Sequence, residues 1–270
     1  MIISIGDLCV DNYIITGEKF VGGIAANFAV HAHRLGENVS LISGIGNDEH
    51  GKFALNELNK EGVNTELVQH FHGHTAEQKI RLENNERNFC GFNTGVLPQI
   101  RLTEEDKKNI ANARAVVIPL SDGLEPVFKD VIKLEVENVL KVVDFSRDAD
   151  IDGFKHGDVT SMLEAYIEDI DIAFLGADEE TVDEVKKIAS QHPNTLLVVT
   201  LGSKGSMALF KHKEYTQSAI RVEEVVDTTG CGDAFRAGFV TSYIDKNAIP
   251  EALQAGTEIA ATVASHFGAF

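Results

Sequence analysis

Short β-rich runs alternate with amphipathic stretches of helical length along most of this 270-residue sequence, and that alternation limits the fold more than any other feature. The runs predicted as strands cover residues 1–5, 39–43, 115–119, 141–145, 171–174 and 195–200. The stretches predicted as helices cover residues 24–35, 49–61, 103–112, 127–136, 178–190, 234–244 and 250–266. Strands that alternate with helices pair side by side, with the helices packed on the sheet. The sequence therefore predicts one α/β domain over residues 1–270, with an open, mostly parallel sheet and helices on both faces.

Two segments interrupt this alternation. Residues 10–20 read as a short extended piece, and residues 75–92 read as two strands around a turn at Asn84 and Asn85. Polar and apolar residues alternate in the second segment, as in a hairpin with one buried face. We expect a small β lid formed from about residues 10–20 and 72–96. Such a lid can cover a cleft or form the contact of a homodimer, and the sequence leaves both uses open.

The charge, the apolar runs and the cysteines argue against a nucleic acid partner, a membrane span and a disulfide framework. Acidic residues outnumber basic ones by 42 to 24, and the net charge of −18 argues against a nucleic acid partner, whose phosphates the surface would repel. No apolar run approaches the roughly 18 residues that a membrane span needs, and no basic leader follows Met1. The three cysteines form no CxxC pair, so we expect no disulfide framework and a cytoplasmic location.

The stretch D-T-T-G-C-G-D, from Asp227 to Asp233, stands directly before a predicted helix. Gly230 and Gly232 permit backbone angles at which successive amides point to one spot and bind an anion. The helix that follows adds free amides and the positive end of its dipole. Asp233 can then serve as a general base for an attacking hydroxyl, or it can simply cap the helix, and the spacing alone leaves both open.

The longer stretch D-T-T-G-C-G-D-A-F-R-A-G-F resembles the D-T-x-G-A-G-D signature of the ribokinase-like, or PfkB-type, sugar kinases. Cys231 stands where alanine is usual, and a small residue still fits there. The resemblance implies a ribokinase-like fold and transfer of the γ-phosphoryl group of ATP to a sugar hydroxyl. It implies that Asp233 is the base, and that the catalytic loop also includes Gly230, Cys231 and Gly232. It places Asp227 and Thr228 on the side of the nucleotide.

A second motif, G-G-I-A-A-N, opens a predicted helix and contains Gly22, Gly23 and Asn27. By itself it is also explained by a turn followed by a buried polar residue. The resemblance implies that the two glycines let the sugar ring approach and that Asn27 bonds its hydroxyls. It gives the same substrate-binding role to Asp11, since a carboxylate can accept two hydroxyl donors. Asp7 ends the first strand, where open α/β sheets place their ligands.

The nucleotide end of the resemblance rests on the loop T-L-G-S-K-G, which follows a buried strand. It implies contacts with ATP from Thr200, Gly202, Lys204 and Gly205, although Lys204 is equally explained as a solvated lysine in a turn. The resemblance also assigns Gly256 and Ala260 to the adenine pocket, where a place in the helix core explains them equally well.

A metal position is implied by the stretch G-A-D-E, in which Glu179 matches the glutamate of the family's N-x-x-E motif. That glutamate binds Mg²⁺ through water, and the phosphates of the substrate provide most of the other ligands of the ion. Gly176 replaces the asparagine of the motif, which removes one contact from the metal or phosphate shell. A monovalent cation such as K⁺ is a further cofactor that the resemblance leaves open.

Two stretches indicate which sugar is the substrate: residues 72–89, which we call the flap, and the C-terminal stretch from Q-A-G-T to H-F-G-A-F. Both look most like the fructoselysine 6-kinase branch of the family. That resemblance implies phosphorylation of the 6-hydroxyl of a fructosamine. Arg81, on the flap, is the candidate that meets the charged end of such a substrate, and an exposed hairpin explains it as well. Two alternatives remain: a kinase of the same family that acts on fructose, ribose or a nucleoside, and a non-catalytic sugar-binding protein with the same fold.

Overall fold

The computed structural model of the chain describes residues 1–83, 86–145 and 158–270, without the side chains of residues 82, 83, 86–89 and 179. The strands are β1 Ile2–Ile5, β2 Cys9–Tyr13, β3 Lys19–Gly22, β4 Val39–Gly46, β5 Val68–Phe71, β6 Ala76–Glu83, β7 Glu86–Asn93, β8 Ala115–Leu120, β9 Leu140–Phe145, β10 Ile172–Gly176, β11 Leu196–Thr200, β12 Ser206–Phe210 and β13 Lys213–Gln217. The α-helices are α1 Ile24–Arg34, α2 Glu49–Lys60, α3 Glu104–Ala111, α4 Glu125–Ile132, α5 Val159–Tyr166, α6 Glu179–Gln191, α7 Cys231–Lys246 and α8 Ile249–Val263.

The main sheet has nine strands in the order β13-β12-β11-β10-β9-β8-β1-β4-β5. The strands from β11 to β5 pair in parallel, and β1 lies between β8 and β4. The strands β12 and β13 continue the β11 edge in antiparallel pairing. Because the central strands are parallel, their carboxyl ends meet at one edge, and that edge is where open α/β sheets bind ligands.

Among the described residues, four helices cover each face of the sheet. Each set of four helices packs against its face in a separate hydrophobic core. One core contains Ile3 of β1 and buried side chains of α3, α4, α5 and α6, such as Phe128. The other contains Ile2 of β1 and buried side chains of α1, α2, α7 and α8, such as Phe239. Successive residues of a strand point to opposite faces, so β1 supplies both cores. The predicted α/β fold, with helices on both faces, is confirmed.

A second sheet of four strands, in the order β3-β2-β6-β7, is formed by the two segments that interrupt the alternation. The strands β2 and β6 are parallel, while β3 and β7 pair antiparallel on either side of them. The predicted turn at Asn84 and Asn85 lies outside the described residues. We call this four-stranded sheet the lid.

Several elements differ from the sequence predictions. The antiparallel strands β12 and β13 and the helix α5 were not predicted, because a short apolar run does not reveal its pairing or its type. The helix α4 ends at Ile132, before the predicted end at residue 136. Leu134 and Val136 still pack against the first core, so their apolar pattern continues outside the helix. Among the described residues, no helix combines the length and the apolar character that a membrane crossing requires.

The helices α7 and α8 approach each other closely because glycines stand at their contact. A Cβ at Gly256 would lie 2.7 Å from the carbonyl oxygen of Phe235, and one at Gly238 would lie 2.8 Å from that of Ala255. Carbon and oxygen do not approach so closely without a shift of the backbone. The two glycines therefore fix how near the helix carrying Asp233 lies to α8.

We expect Gly256→Ala to lower the free energy of unfolding by about 1–3 kcal/mol, because the added methyl group overpacks the contact between the two helices. The matched control is Gly176→Ala, whose Cβ would lie 4.0 Å from its nearest neighbour, Oγ1 of Thr200. That variant should stay within about 0.5 kcal/mol of the wild type in urea denaturation. Equal losses in both variants would contradict this packing role.

Candidate active site

The glycines at the start of α1 bring the backbone close to two aspartates. Gly23 has φ of 108°, and a Cβ there would lie 2.4 Å from the carbonyl oxygen of Asp7. A Cβ at Gly22 would lie 2.3 Å from Oδ1 of Asp11. Because Gly23 has no side chain to cap the helix, the carboxylate of Asp7 accepts the amides of Ile24 and Ala25 at 2.9 and 3.2 Å. Asp7 thus fixes the start of α1 to the carboxyl end of β1.

The loop before α7 has the geometry of an anion site. Gly230 is the N-cap residue, with φ of 75°, and no side chain caps the helix among the residues that the structure describes. A Cβ at Gly230 would lie 2.6 Å from the Cβ of Ala269, so only glycine fits. The amide of Cys231 closes the turn on the carbonyl of Thr228 at 3.3 Å, and Gly232 is exposed. The first turn of α7 therefore offers its amides and its dipole to an anion.

Asp233 is the third residue of α7, so it does not cap the helix, and its carboxylate is buried. Nδ2 of Asn27 donates to Oδ2 of Asp233 at 2.7 Å, which joins the two glycine motifs at one point. Only 4% of Asn27 is exposed, and its Oδ1 is a buried acceptor with no partner among the described residues. A buried acceptor without a donor is costly, so this oxygen is suited to a hydroxyl group of a ligand.

A buried guanidinium lies on the other side of the same carboxylate. Arg236, one helical turn after Asp233, donates from one terminal nitrogen to Oδ1 of Asp233 and contacts Oδ2 of Asp144 at 3.1 Å. Asp144 lies in β9, near its carboxyl end. Burial raises the pKa of the Asp144 carboxyl to about 6, against the opposing effect of Arg236.

Asp227 holds the loop before α7, the lid and the C-terminal segment together. Its Oδ1 accepts the amide and the hydroxyl of Thr229 at 2.8 and 2.5 Å. Its Oδ2 accepts the hydroxyl of Tyr13, from β2 of the lid, at 3.0 Å and the amide of Gly268 at 3.3 Å. Burial alone would raise the pKa of Asp227, but these donors lower it below its ordinary value. Burial raises the pKa of Tyr13 to about 12, so its hydroxyl remains a donor.

Four residues predicted to contact the nucleotide lie at the carboxyl end of β11 or directly after it: Thr200, Gly202, Lys204 and Gly205. The amide of Ala177 donates to the carbonyl of Thr200 at 3.1 Å, which places the ends of β10 and β11 side by side. Gly202 and Lys204 are exposed, whereas Gly205 is buried with φ of 101°. A Cβ at Gly205 would lie 2.1 Å from the carbonyl oxygen of Gln217, so this glycine is required by the turn.

The remaining predicted residues stand apart from this cluster. Thr228 is exposed beside the loop, while Gly256 is buried between α7 and α8 and Ala260 packs partly against the second core. Glu179 begins α6, after the carboxyl end of β10, and its side chain lies outside the described residues. The structure therefore brings Asp233 and Asn27 together, and it leaves the metal role of Glu179 a prediction.

Arg81 lies on the lid, but on the face that points away from Asp11. In the register of β2 and β6, Asp11 pairs with Gln78, and Tyr13 pairs with Ile80. Paired residues share a face, so Gln78 and Ile80 lie on the face of Asp11 and Tyr13, and Arg81 lies on the other. The structure does not bring Arg81 together with Asp11 on one face of the lid.

Three residues of the site, Tyr13, Asp144 and Arg236, were not among the residues predicted from the sequence. Tyr13 and Asp144 meet their partners only through the tertiary fold, since Tyr13 lies 214 residues before Asp227. Arg236 was within reach of sequence reasoning, because a side chain three residues after Asp233 lies on the same helical face.

The whole chain matches known kinases. The model of the pfkB family of carbohydrate kinases matches residues 8–270. The sequence is 31% identical to fructoselysine 6-kinase of Escherichia coli, over 99% of this chain and 98% of that enzyme. It is 29% identical to a fructosamine kinase of Bacillus subtilis, over 100% of this chain and 92% of that enzyme.

Solved structures agree with that result. The fold is similar to that of Arabidopsis thaliana ribokinase complexed with ribose and ATP, with a TM-score of 0.80 and 23% identity, over 99% of this chain and 93% of the other. It is also similar to a sugar kinase of Pyrococcus horikoshii in complex with ATP, with a TM-score of 0.77 and 25% identity, over 100% and 94% of the two chains. The chain therefore belongs to the pfkB family of carbohydrate kinases and is a phosphotransferase.

Proposed function

We propose that the protein transfers the γ-phosphoryl group of ATP to the 6-hydroxyl of a fructosamine, with fructoselysine as the best candidate. The observation that carries the proposal is the pair formed by Asn27 and Asp233. Asn27 donates to the carboxylate of Asp233 and keeps a buried Oδ1 without a partner among the described residues. A sugar satisfies both side chains, since one of its hydroxyls can donate to Oδ1 of Asn27 while another donates to the carboxylate of Asp233.

The proposed chemistry assigns one task to each side of the cluster. Asp233 accepts the proton of the attacking hydroxyl as a general base, and the loop of Gly230, Cys231 and Gly232 holds the transferring group through backbone amides. Asp11 accepts further hydroxyls of the sugar, beside the glycines 22 and 23 that let the ring approach. Phosphoryl transfer asks the protein chiefly for alignment and charge stabilisation, which these groups supply.

The nucleotide and metal assignments are part of the same proposal. Thr200, Gly202, Lys204 and Gly205 contact the ATP, with Asp227 and Thr228 near its phosphates and Gly256 and Ala260 near the adenine. The first turn of α7 fits a phosphate, because Gly232 is exposed there and no side chain caps the helix among the described residues. Mg²⁺ neutralises phosphate charge when bound, and Glu179 holds it through water, with a monovalent cation such as K⁺ as a further cofactor. Asp227 acts chiefly by fixing the loop, since protein donors occupy its carboxylate.

The choice of a fructosamine rests on the similarity over nearly the whole chain to fructosamine kinases. A fructosamine carries an ammonium group, and the buried carboxyl groups of Asp7, Asp11 and Asp233 are the groups of suitable charge that we assign to the sugar end of the site. Arg81 faces away from Asp11, so its contact with the substrate is the least supported of these assignments.

Assembly and location complete the proposal. Ile14 and Ile15, at the turn between β2 and β3 of the lid, are exposed apolar side chains of the kind that a second copy of the chain covers. We therefore place a homodimer contact at the lid, which sedimentation of Ile15→Glu against the wild type tests. The three cysteines form no CxxC pair, which supports the proposed cytoplasmic location.

We expect Asp233→Asn to lower kcat by about 10²–10⁴-fold, because the hydroxyl loses its proton acceptor, while the KM for ATP changes little. A coupled assay for ADP measures both constants. The control is Asp245→Asn, which removes an exposed acid from the same helix, paired with Arg114 at the surface. If Asp233→Asn keeps more than about a tenth of the wild-type rate, Asp233 is not the base.

A panel of sugars tests the substrate. In the presence of a non-hydrolysable ATP analogue, fructoselysine should raise the melting temperature more than fructose, ribose or adenosine at equal concentration, because tight ligands stabilise the native state. With ATP, ³¹P and ¹³C NMR of the product should place the phosphate on carbon 6. A larger shift and faster turnover with ribose or adenosine would assign the enzyme to another branch of the family.

A further inference from the structure

Arg236 occupies a position between two buried carboxylates that the proposed reaction does not explain. Its terminal nitrogen bonds Oδ1 of Asp233, on its own helix, and lies 3.1 Å from Oδ2 of Asp144, at the end of a strand. The side chains of Arg236, Asp233 and Asp144 are 13%, 9% and 7% exposed, so water screens these charges little. Helical side chains lean toward the amino terminus of the helix, which directs Arg236 back over the first turn of α7.

The guanidinium lies among several buried carboxyl groups. Among the described residues, Asp7 after β1, Cys9 of β2, His31 of α1, Asp144 of β9 and Arg236 of α7 interact electrostatically with Asp233. Burial raises the pKa of the Cys9 thiol and keeps it neutral, so the acidic groups beside the positive guanidinium of Arg236 are Asp7, Asp144 and Asp233. Without Arg236, the carboxylates would repel one another in a poorly solvated site.

We propose that Arg236, anchored by Asp144, is a positioning residue that fixes the carboxylate of Asp233 and turns its Oδ2 toward the substrate hydroxyl. Arg236 occupies Oδ1, so the proton of the hydroxyl is accepted at Oδ2, beside Nδ2 of Asn27. Asp144 fixes the guanidinium from the sheet, and the carboxylate thereby keeps one orientation. This role rests on the proposed function of Asp233 as the base.

Two substitutions separate this orienting role from support of the fold. Arg236→Met keeps most of the volume of the side chain but removes the donor that occupies Oδ1 of Asp233, so the carboxylate should leave its orientation beside Nδ2 of Asn27. A residue that only supported the fold would lower the melting temperature without turning Asp233.

The test is a crystal structure of the full-length Arg236→Met protein beside that of the wild type, both without substrate. We expect the carboxylate of Asp233 to turn by about 30° or more and to break its 2.7 Å contact with Nδ2 of Asn27. An Asp233 side chain that keeps its wild-type torsions and this contact would overturn the inference.

A second variant keeps the inference testable if Arg236→Met does not fold, as judged by its melting temperature. Asp144→Ala removes the anchor of Arg236 on the sheet, so the guanidinium and the carboxylate of Asp233 should both shift, and an unchanged pair overturns the inference. The structures need no substrate, so their outcome is independent of whether a fructosamine is phosphorylated. Absence of sugar-dependent ATP turnover in the wild type would instead remove the proposed function, and with it the catalytic meaning of the bridge, even where Asp233 turns.

Discussion

The hydrogen bond from Asn27 to Asp233 is the contact on which the site depends, because it joins the first turns of α1 and α7. Each helix begins at a glycine whose positive φ and crowded surroundings leave no room for a side chain. Both first turns therefore reach the same edge of the sheet, and their positive dipole ends face a group of buried carboxylates. The helix amides and one guanidinium donate hydrogen bonds to those carboxylates. The placement of the two helices and the balance of charge in the site therefore depend on each other.

The same arrangement extends to the lid through Asp227. Its carboxylate accepts donors from Thr229 in the loop before α7, from Tyr13 of β2 and from Gly268 near the C-terminus. A movement of the lid that carries Tyr13 away would remove one of these donors from Asp227. One buried carboxylate thus connects the lid directly to the loop that we assign to the phosphate.

The sequence predicted the main sheet and most of its helices, because the spacing of apolar residues that distinguishes a strand from a helix is a local property of the chain. The motifs around Gly23 and Gly230 likewise pointed to the two tight turns, since glycine is needed wherever φ is positive and space is lacking. The antiparallel strands β12 and β13, the bond from Tyr13 to Asp227 and the bridge from Arg236 to Asp144 arise from pairing between distant segments. The local pattern of residues 206–217 does not indicate which edge of the main sheet they join. Likewise, the sequence around Arg81 does not indicate on which face of the lid this side chain lies.

The most direct measurement is a crystal structure of the protein with a fructosamine and a non-hydrolysable ATP analogue. Asp233 and Asn27 should then share the sugar, with the acceptor oxygen about 2.6–3.2 Å from Oδ2 of Asp233 and a second hydroxyl on Oδ1 of Asn27. The amides at the start of α7 should face the γ-phosphate. A complex in which every sugar oxygen lies more than about 4 Å from Asp233, or in which the first turn of α7 points away from the triphosphate, would contradict the proposed role of this site.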